Sequence, residues 1–188
     1  MNKLYDIFSE KYEHKTRLNN HYKQRPNGID GIIIHSMGQR IKNYGPAARF
    51  LDEIGLSAHC LVDTDGSVIH CVEPVHQAYH AGKSKLEEQT NLNTSFIGIE
   101  ILVQGTHDYS SFLQAIKTDV FTNDQYDSAA TLCAMYMHKY EIPIDRVLPH
   151  SFVSGPGVRK DPKKDPGEGF NWDYFTILTE ILADQLDY

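Results

Sequence analysis

Cysteine is scarce in this chain, with three in 188 residues and no Cys-x-x-Cys pair. That excludes a cysteine-rich zinc knuckle and a dense disulfide framework. Positive charge is also short: 18 Lys and Arg against 25 Asp and Glu leave a formal charge of -7. Nucleic-acid binders usually carry a basic patch, so this balance argues against that class of partner. No apolar run approaches the roughly 18 residues that mark a membrane span. The opening residues, Met1-Asn2-Lys3-Leu4-Tyr5-Asp6-Ile7-Phe8-Ser9-Glu10, lack the long apolar segment and small-residue cleavage site of a secretory leader. A cytoplasmic protein is therefore expected as encoded. Internal repeats and low-complexity linkers are missing, and the length fits one domain.

What is present is an ordinary globular composition, 40% hydrophobic and 23% charged, with eleven Tyr and eight Phe to furnish a core or a groove. Residues 1–27 are polar and aromatic and read as an N-terminal arm, with Tyr5, Ile7, Phe8 and Tyr12 on one face of a short helix. Residues 28–188 read as the main domain. Residues 31–35, short and β-branched, predict a buried strand. Gly45-Pro46 opens a helix, with Ala47, Phe50, Leu51 and Ile54 on one face and Gly55 at its end. A second buried strand is expected over 96–103, followed by a loop up to Thr122. Thr122 and Gln125 form a capping-box pattern for a helix over 123–140. Residues 147–150 make a short strand, 151–169 a Gly/Pro-rich loop, and Asn171 caps a last helix with Phe175, Leu178 and Leu182 inward. Strands alternating with helices give an α/β (α+β) fold: a mixed central sheet flanked by helices on both faces.

Asp65-Gly66 marks a hairpin between two β-like runs. A two-residue turn there sets Cys60 opposite Cys71, Val62 opposite Ile69 and His70 opposite Leu61. The face is apolar, so the cysteines are expected to be buried thiols rather than a bridge.

Three residues distant in sequence could share one chemistry. His35 ends the run Ile32-Ile33-Ile34, His150 precedes the Gly/Pro-rich loop, and Asp165 stands before Pro166-Gly167. Each has a bland reading: a core histidine, a surface histidine, and a turn aspartate. Together, two imidazoles and a carboxylate suit zinc with a fourth position left to water. Such an ion activates that water and polarises a carbonyl.

The segments that flank these residues carry a resemblance. They are Ile32-Ile33-Ile34-His35, Ser57-Ala58-His59-Cys60-Leu61-Val62-Asp63 with Asp65-Gly66, Tyr79-His80-Ala81-Gly82, Asn93 with Ser95-Phe96-Ile97-Gly98-Ile99-Glu100, Pro149-His150-Ser151, and Lys163-Lys164-Asp165-Pro166-Gly167. In this order they resemble the zinc-dependent N-acetylmuramoyl-L-alanine amidases, whose fold is shared by peptidoglycan recognition proteins and phage lysozyme-amidases (endolysins). The resemblance covers about residues 29–182. It implies one catalytic Zn2+ held by His35, His150 and Asp165. Glu100 is implied as general base and Lys163 as the cation that steadies the oxyanion. Tyr79, His80 and Asn93 are implied along the groove, against stem peptide or sugar. The implied reaction is hydrolysis of the amide between N-acetylmuramic acid and L-alanine, in peptidoglycan or in soluble muropeptides. The alternative is a non-catalytic peptidoglycan-binding module of the same fold.

Departures from the pattern are informative. Ala58 stands where some members place a catalytic tyrosine, which puts more weight on Glu100. Gln77, Ala78 and Tyr79 replace a more usual arginine and tryptophan. Asp161-Pro162 duplicates the Asp-Pro pair of Asp165-Pro166, so Asp161 competes for the ligand position, and the fuller Lys-x-Asp-Pro-Gly pattern favours Asp165. His59, His70, His76, His107 and His138 receive no chemical role. Oligomeric state and biological setting (lysis, wall recycling or a delivered toxin) stay open.

Overall fold

A computed structural model describes residues 20–186; the helix expected around Tyr5 to Tyr12 lies outside them. Its elements, in chain order, are β1 (Tyr22–Gln24), β2 (Gly31–Ile41), β3 (Gly45–Pro46), α1 (Ala47–Glu53), β4 (Cys60–Val62), β5 (Val68–His70), β6 (His76–Ala78), β7 (Lys85–Leu86), β8 (Gln89–Thr90), β9 (Phe96–His107), α2 (Tyr109–Ala115), α3 (Asn123–Tyr140), β10 (Val147–Pro149), α4 (His150–Val153) and α5 (Trp172–Leu186). Six strands form the main sheet in the order β10-β2-β9-β4-β5, with β3 folded back on β2. β10, β2, β9 and β4 run parallel, while β3 and β5 are antiparallel, so the sheet is mixed.

Alternation along the strands divides the side chains between two faces. Ile32 and Ile34 of β2, Ile97, Ile99, Ile101 and Val103 of β9, and Cys60 and Val62 of β4 join Tyr126, Ala129, Ala130 and Cys133 of α3 and Phe175 of α5 in the larger core. On the other face Met37, Leu61 and Leu102 pack with Ala47 and Leu51 of α1, and Ile33 and Phe96 pack with Ala81, Leu92 and Val153. Helices thus cover both faces, as the alternation of elements predicts.

Several local expectations need correction. β2 and β9 run well past His35 and Val103, because their parallel pairing continues to Ile41 and His107 across a bulge between Gly38 and Arg40. The hairpin register is one residue off the expectation: Cys60 faces His70, Leu61 faces Ile69 and Val62 faces Val68. The turn has three residues rather than two, closed by Asp63 N–H to Ser67 O at 2.8 Å with Gly66 at φ +77°, the geometry of a type I turn followed by a glycine bulge. Cys60 and Cys71 therefore enter different clusters and remain thiols. Residues 108–122 contain α2, held by reciprocal capping between Asp108 and Ser111. Ile54 is exposed, since α1 ends at Glu53 and Gly55 turns the chain away at φ +76°. The capping box at Thr122 forms, and Asn171 Oδ1 accepts from Tyr174 N–H at the start of α5.

Residues at the end of the expected arm take part in the domain. β1 pairs antiparallel with β6, and Arg25 just beyond it is buried. Its guanidinium donates to the carbonyls of Pro74 and His76, each at 2.9 Å, and of Asn93 at 3.3 Å. Burial lowers its pKa to about 10, still high enough to keep the charge that those carbonyls satisfy.

Candidate metal centre

Parallel pairing places the central residues at one level. His35 of β2 stands beside Glu100 of β9, and Glu100 beside Leu61 of β4. Registered residues of parallel strands point to one face, so His35 and Glu100 project together, away from the larger core. His150 arrives from the next strand over. β10 delivers Pro149 alongside Ile34, and the chain then turns into α4 with His150 as its first residue. Asp165 reaches the same point from the loop before α5, where its carbonyl accepts from Ser151 N–H at 2.9 Å.

His35, His150 and Asp165 offer ligand atoms that all lie within 4.8 Å of one another. Asp165 Oδ2 is 2.8 Å from His150 Nδ1 and 3.3 Å from His35 Nδ1. Both histidines are buried, whereas Asp161 is exposed and is not among the grouped donors. Of the two Asp-Pro pairs, the structure brings Asp165 to the histidines. Burial would raise the Asp165 carboxyl, but the neighbouring imidazoles of His150 and His35 outweigh it and hold the carboxyl well below its ordinary range. It therefore stays ionised.

The far nitrogens of both imidazoles are already engaged. His150 Nε2 lies 3.2 Å from the Ala81 carbonyl. His35 Nε2 lies 3.0 Å from His80 Nδ1, and His80 Nε2 lies 3.2 Å from the Phe96 carbonyl. A carbonyl oxygen only accepts, so His150 and His80 are assigned as Nε2–H tautomers, and His80 then accepts from His35 Nε2–H. Two Nδ1 lone pairs and a carboxylate oxygen are left converging on one point. These are the donor types a divalent transition metal takes, and a cation satisfies all three at once. The residues present fit such an ion.

Glu100 is buried with Oε2 lacking a hydrogen-bond partner. Burial, reinforced by the Asp165 charge and opposed by Lys163, pushes its carboxyl up to about 8. In metal-free protein the fold holds a proton there that the unfolded chain releases near 4.5. This group's contribution to stability therefore falls as pH rises from 4.5 to about 8. His35 acts in the opposite sense: burial, with His150 beside it, lowers it from 6.5 to about 4, so its contribution grows over that range and is complete by 6.5. Between 6.5 and about 8, Glu100 is left to act. Chelator-treated protein is expected to lose stability across that interval, and Glu100→Gln to flatten the slope. Urea titrations at stepped pH check this; equal slopes for the two proteins would exclude the buried proton.

The other residues singled out from sequence divide in two. Lys163, partly buried, is close enough for its charge to depress both His35 and Glu100. Tyr79 is partly exposed. His80, partly buried, and Asn93, buried, both hydrogen-bond within the protein. Both ring nitrogens of His80 have protein partners. Buried Asn93 accepts from the His80 and Ala81 amides through Oδ1, at 3.1 and 2.7 Å. His59 is a buried packing residue: its Nδ1 accepts from Gly98 N–H at 2.8 Å, and burial first, then Arg25, lowers its pKa to about 3. Arg25 went unnoticed in the sequence, where it looks like one more charge in a polar arm.

Comparison with known proteins identifies the family. Residues 23–168 match the N-acetylmuramoyl-L-alanine amidase family, and the chain belongs to that family. The 1,6-anhydro-N-acetylmuramyl-L-alanine amidase AmpD of Salmonella typhimurium is 29% identical over 128 residues, 68% of this chain and 59% of the relative. The match thus spans little more than half of that relative's length. AmpD of Haemophilus influenzae is 27% identical over 177 residues, 82% of this chain and 86% of the relative. Among solved structures, a selenomethionine AmpD derivative superposes with a TM-score of 0.68 at 23% identity, covering 88% of this chain and 94% of that one. AmiD from Escherichia coli, solved with anhydro-N-acetylmuramic acid-L-Ala-D-gamma-Glu-L-Lys, gives 0.60 at 22% identity, covering 86% and 60%. At these identities the two structures speak for the fold: a mixed sheet with helices on both faces.

Proposed function

We propose that this protein hydrolyses the amide bond between the lactyl group of N-acetylmuramic acid and the L-alanine of the peptide stem, using one zinc ion held by His35, His150 and Asp165. The observation that carries this reading is the convergence of two imidazole Nδ1 atoms and one ionised carboxylate within 4.8 Å, with buried Glu100 level with His35 on the same sheet face. Zinc, when bound, supplies the Lewis acidity that activates water and polarises an amide carbonyl. Glu100 takes a proton from the attacking water and delivers it to the departing L-alanine nitrogen. Lys163 places an ammonium on the face where negative charge develops on the carbonyl oxygen. Tyr79, at the partly exposed edge, is the aromatic surface available to sugar or peptide. The names of the relatives direct the choice of first substrate to a soluble 1,6-anhydro-N-acetylmuramyl peptide. Among the described residues no helix is long and apolar enough to cross a membrane.

The test is product analysis by mass spectrometry, with the soluble anhydro-muropeptide and intact sacculi offered separately. The expected result is a free peptide beginning with L-alanine, formation stopped by a chelator and restored by zinc. Muropeptide that binds the zinc-loaded protein and is recovered uncut would replace this reading with the non-catalytic binding module.

A further inference from the structure

The dipeptide His80-Ala81 touches both candidate histidine ligands from behind. The His80 ring meets His35 Nε2 at 3.0 Å, and the Ala81 carbonyl meets His150 Nε2 at 3.2 Å. One side chain fixes that dipeptide, since Asn93 Oδ1 accepts from both of its amides. The sheet makes room for it at Gly98, where an added Cβ would fall 2.3 Å from His80 Cγ. Beyond the ring, the Phe96 carbonyl accepts from His80 Nε2 at 3.2 Å.

We propose that His80 and Ala81, pinned by Asn93, are the positioning clamp of the metal centre: they set the tautomer and aim of His35 and His150. This rests on the reading of His35 and His150 as zinc ligands. The proton logic runs outward from groups with no choice. The Phe96 carbonyl cannot donate, so His80 carries its proton on Nε2. His80 Nδ1 must then accept, so His35 carries its proton on Nε2 and turns its Nδ1 lone pair inward. The Ala81 carbonyl imposes the same state on His150 directly. Outer partners of this kind hold the ring orientation and raise ligand basicity. Asn93 touches neither histidine ligand through its side-chain oxygen, yet it governs both by holding the two amides between them.

Zinc affinity, measured by competition with a chromophoric chelator, separates the alternatives. His80→Ala and Asn93→Ala are expected to weaken zinc binding roughly 10–100-fold. His80→Asn places an acceptor oxygen near the site of Nδ1 and is expected to recover most of that loss. In zinc-loaded wild type, long-range proton–nitrogen NMR is expected to show neutral His80 with its proton on Nε2. Wild-type zinc affinity in both alanine variants, with only KM raised, would overturn the clamp and return His80 and Asn93 to the groove while leaving the zinc reading intact. Should an alanine variant not fold, the wild-type spectrum still decides: a proton on His80 Nδ1 overturns the proposal. Wild-type zinc affinity in His35→Ala would remove the zinc reading itself and the clamp with it.

Discussion

Glu100→Gln is expected to lower turnover by roughly 10²–10⁴-fold, the usual worth of a positioned general base, and to leave zinc content unchanged. Glutamine keeps the shape and burial of the side chain and removes its capacity to take a proton. Because Glu100 sits level with His35 across two hydrogen-bonded strands, it is held beside the ligands without being one of them. A divalent cation next to the carboxyl opposes both burial and the Asp165 charge, the two causes of its raised pKa. The loaded protein therefore holds the carboxylate, ready to accept. Product analysis at saturating substrate, alongside elemental analysis, checks the expectation. Turnover within a few-fold of wild type would remove Glu100 from the mechanism, and loss of zinc would make it a ligand.

Asp165→Ala is expected to abolish stoichiometric zinc and activity together, and Asp161→Ala to retain both. Asp165 is the single anion among the three converging groups, and its Oδ2 contacts both histidines. Its removal leaves two neutral donors for a doubly charged ion, so the expected loss exceeds the roughly 10–100-fold of an outer partner. Asp161 is exposed, and its backbone carbonyl accepts from Arg159 Nε at 3.1 Å. Equilibrium dialysis against buffered zinc separates the two. Retained zinc in the Asp165 variant, with loss in the Asp161 variant, would reverse the assignment.

Much of this architecture is legible in the residues, and what is not has identifiable causes. The Ile-rich runs mark the two central strands because β-branched side chains filling both faces leave few other solutions. Their length is not legible: Gln39, Arg40 and Thr106 look like loop residues, and only cross-strand pairing draws them into β2 and β9. The hairpin register failed on a single count, two turn residues against three, and that slip exchanges every side chain between faces. α2 has no apolar stripe to betray it, since it buries no residue fully; the Asp108…Ser111 capping pair is its one sequence signal. The trio His35, His150 and Asp165 is legible only through the order of its flanking segments, since no local pattern joins residues so distant. The contacts that join His80 and Asn93 to the histidine cluster link segments distant in the chain, with Gly98 leaving room for the His80 ring, and so are visible only in three dimensions.

The pairing of β2 with β9 has a consequence for the fate of a misassembled chain. A shift of one residue between these strands, or the flipping of either, would send His35 and Glu100 to opposite sides of the sheet. The proposed centre then has no partial version: a chain with slipped strands would not present His35 and Glu100 on one side of the sheet. Recovery of cutting during refolding should consequently lag the return of helical signal and coincide with the last tertiary step, making catalysis itself a reporter of correctly threaded strands.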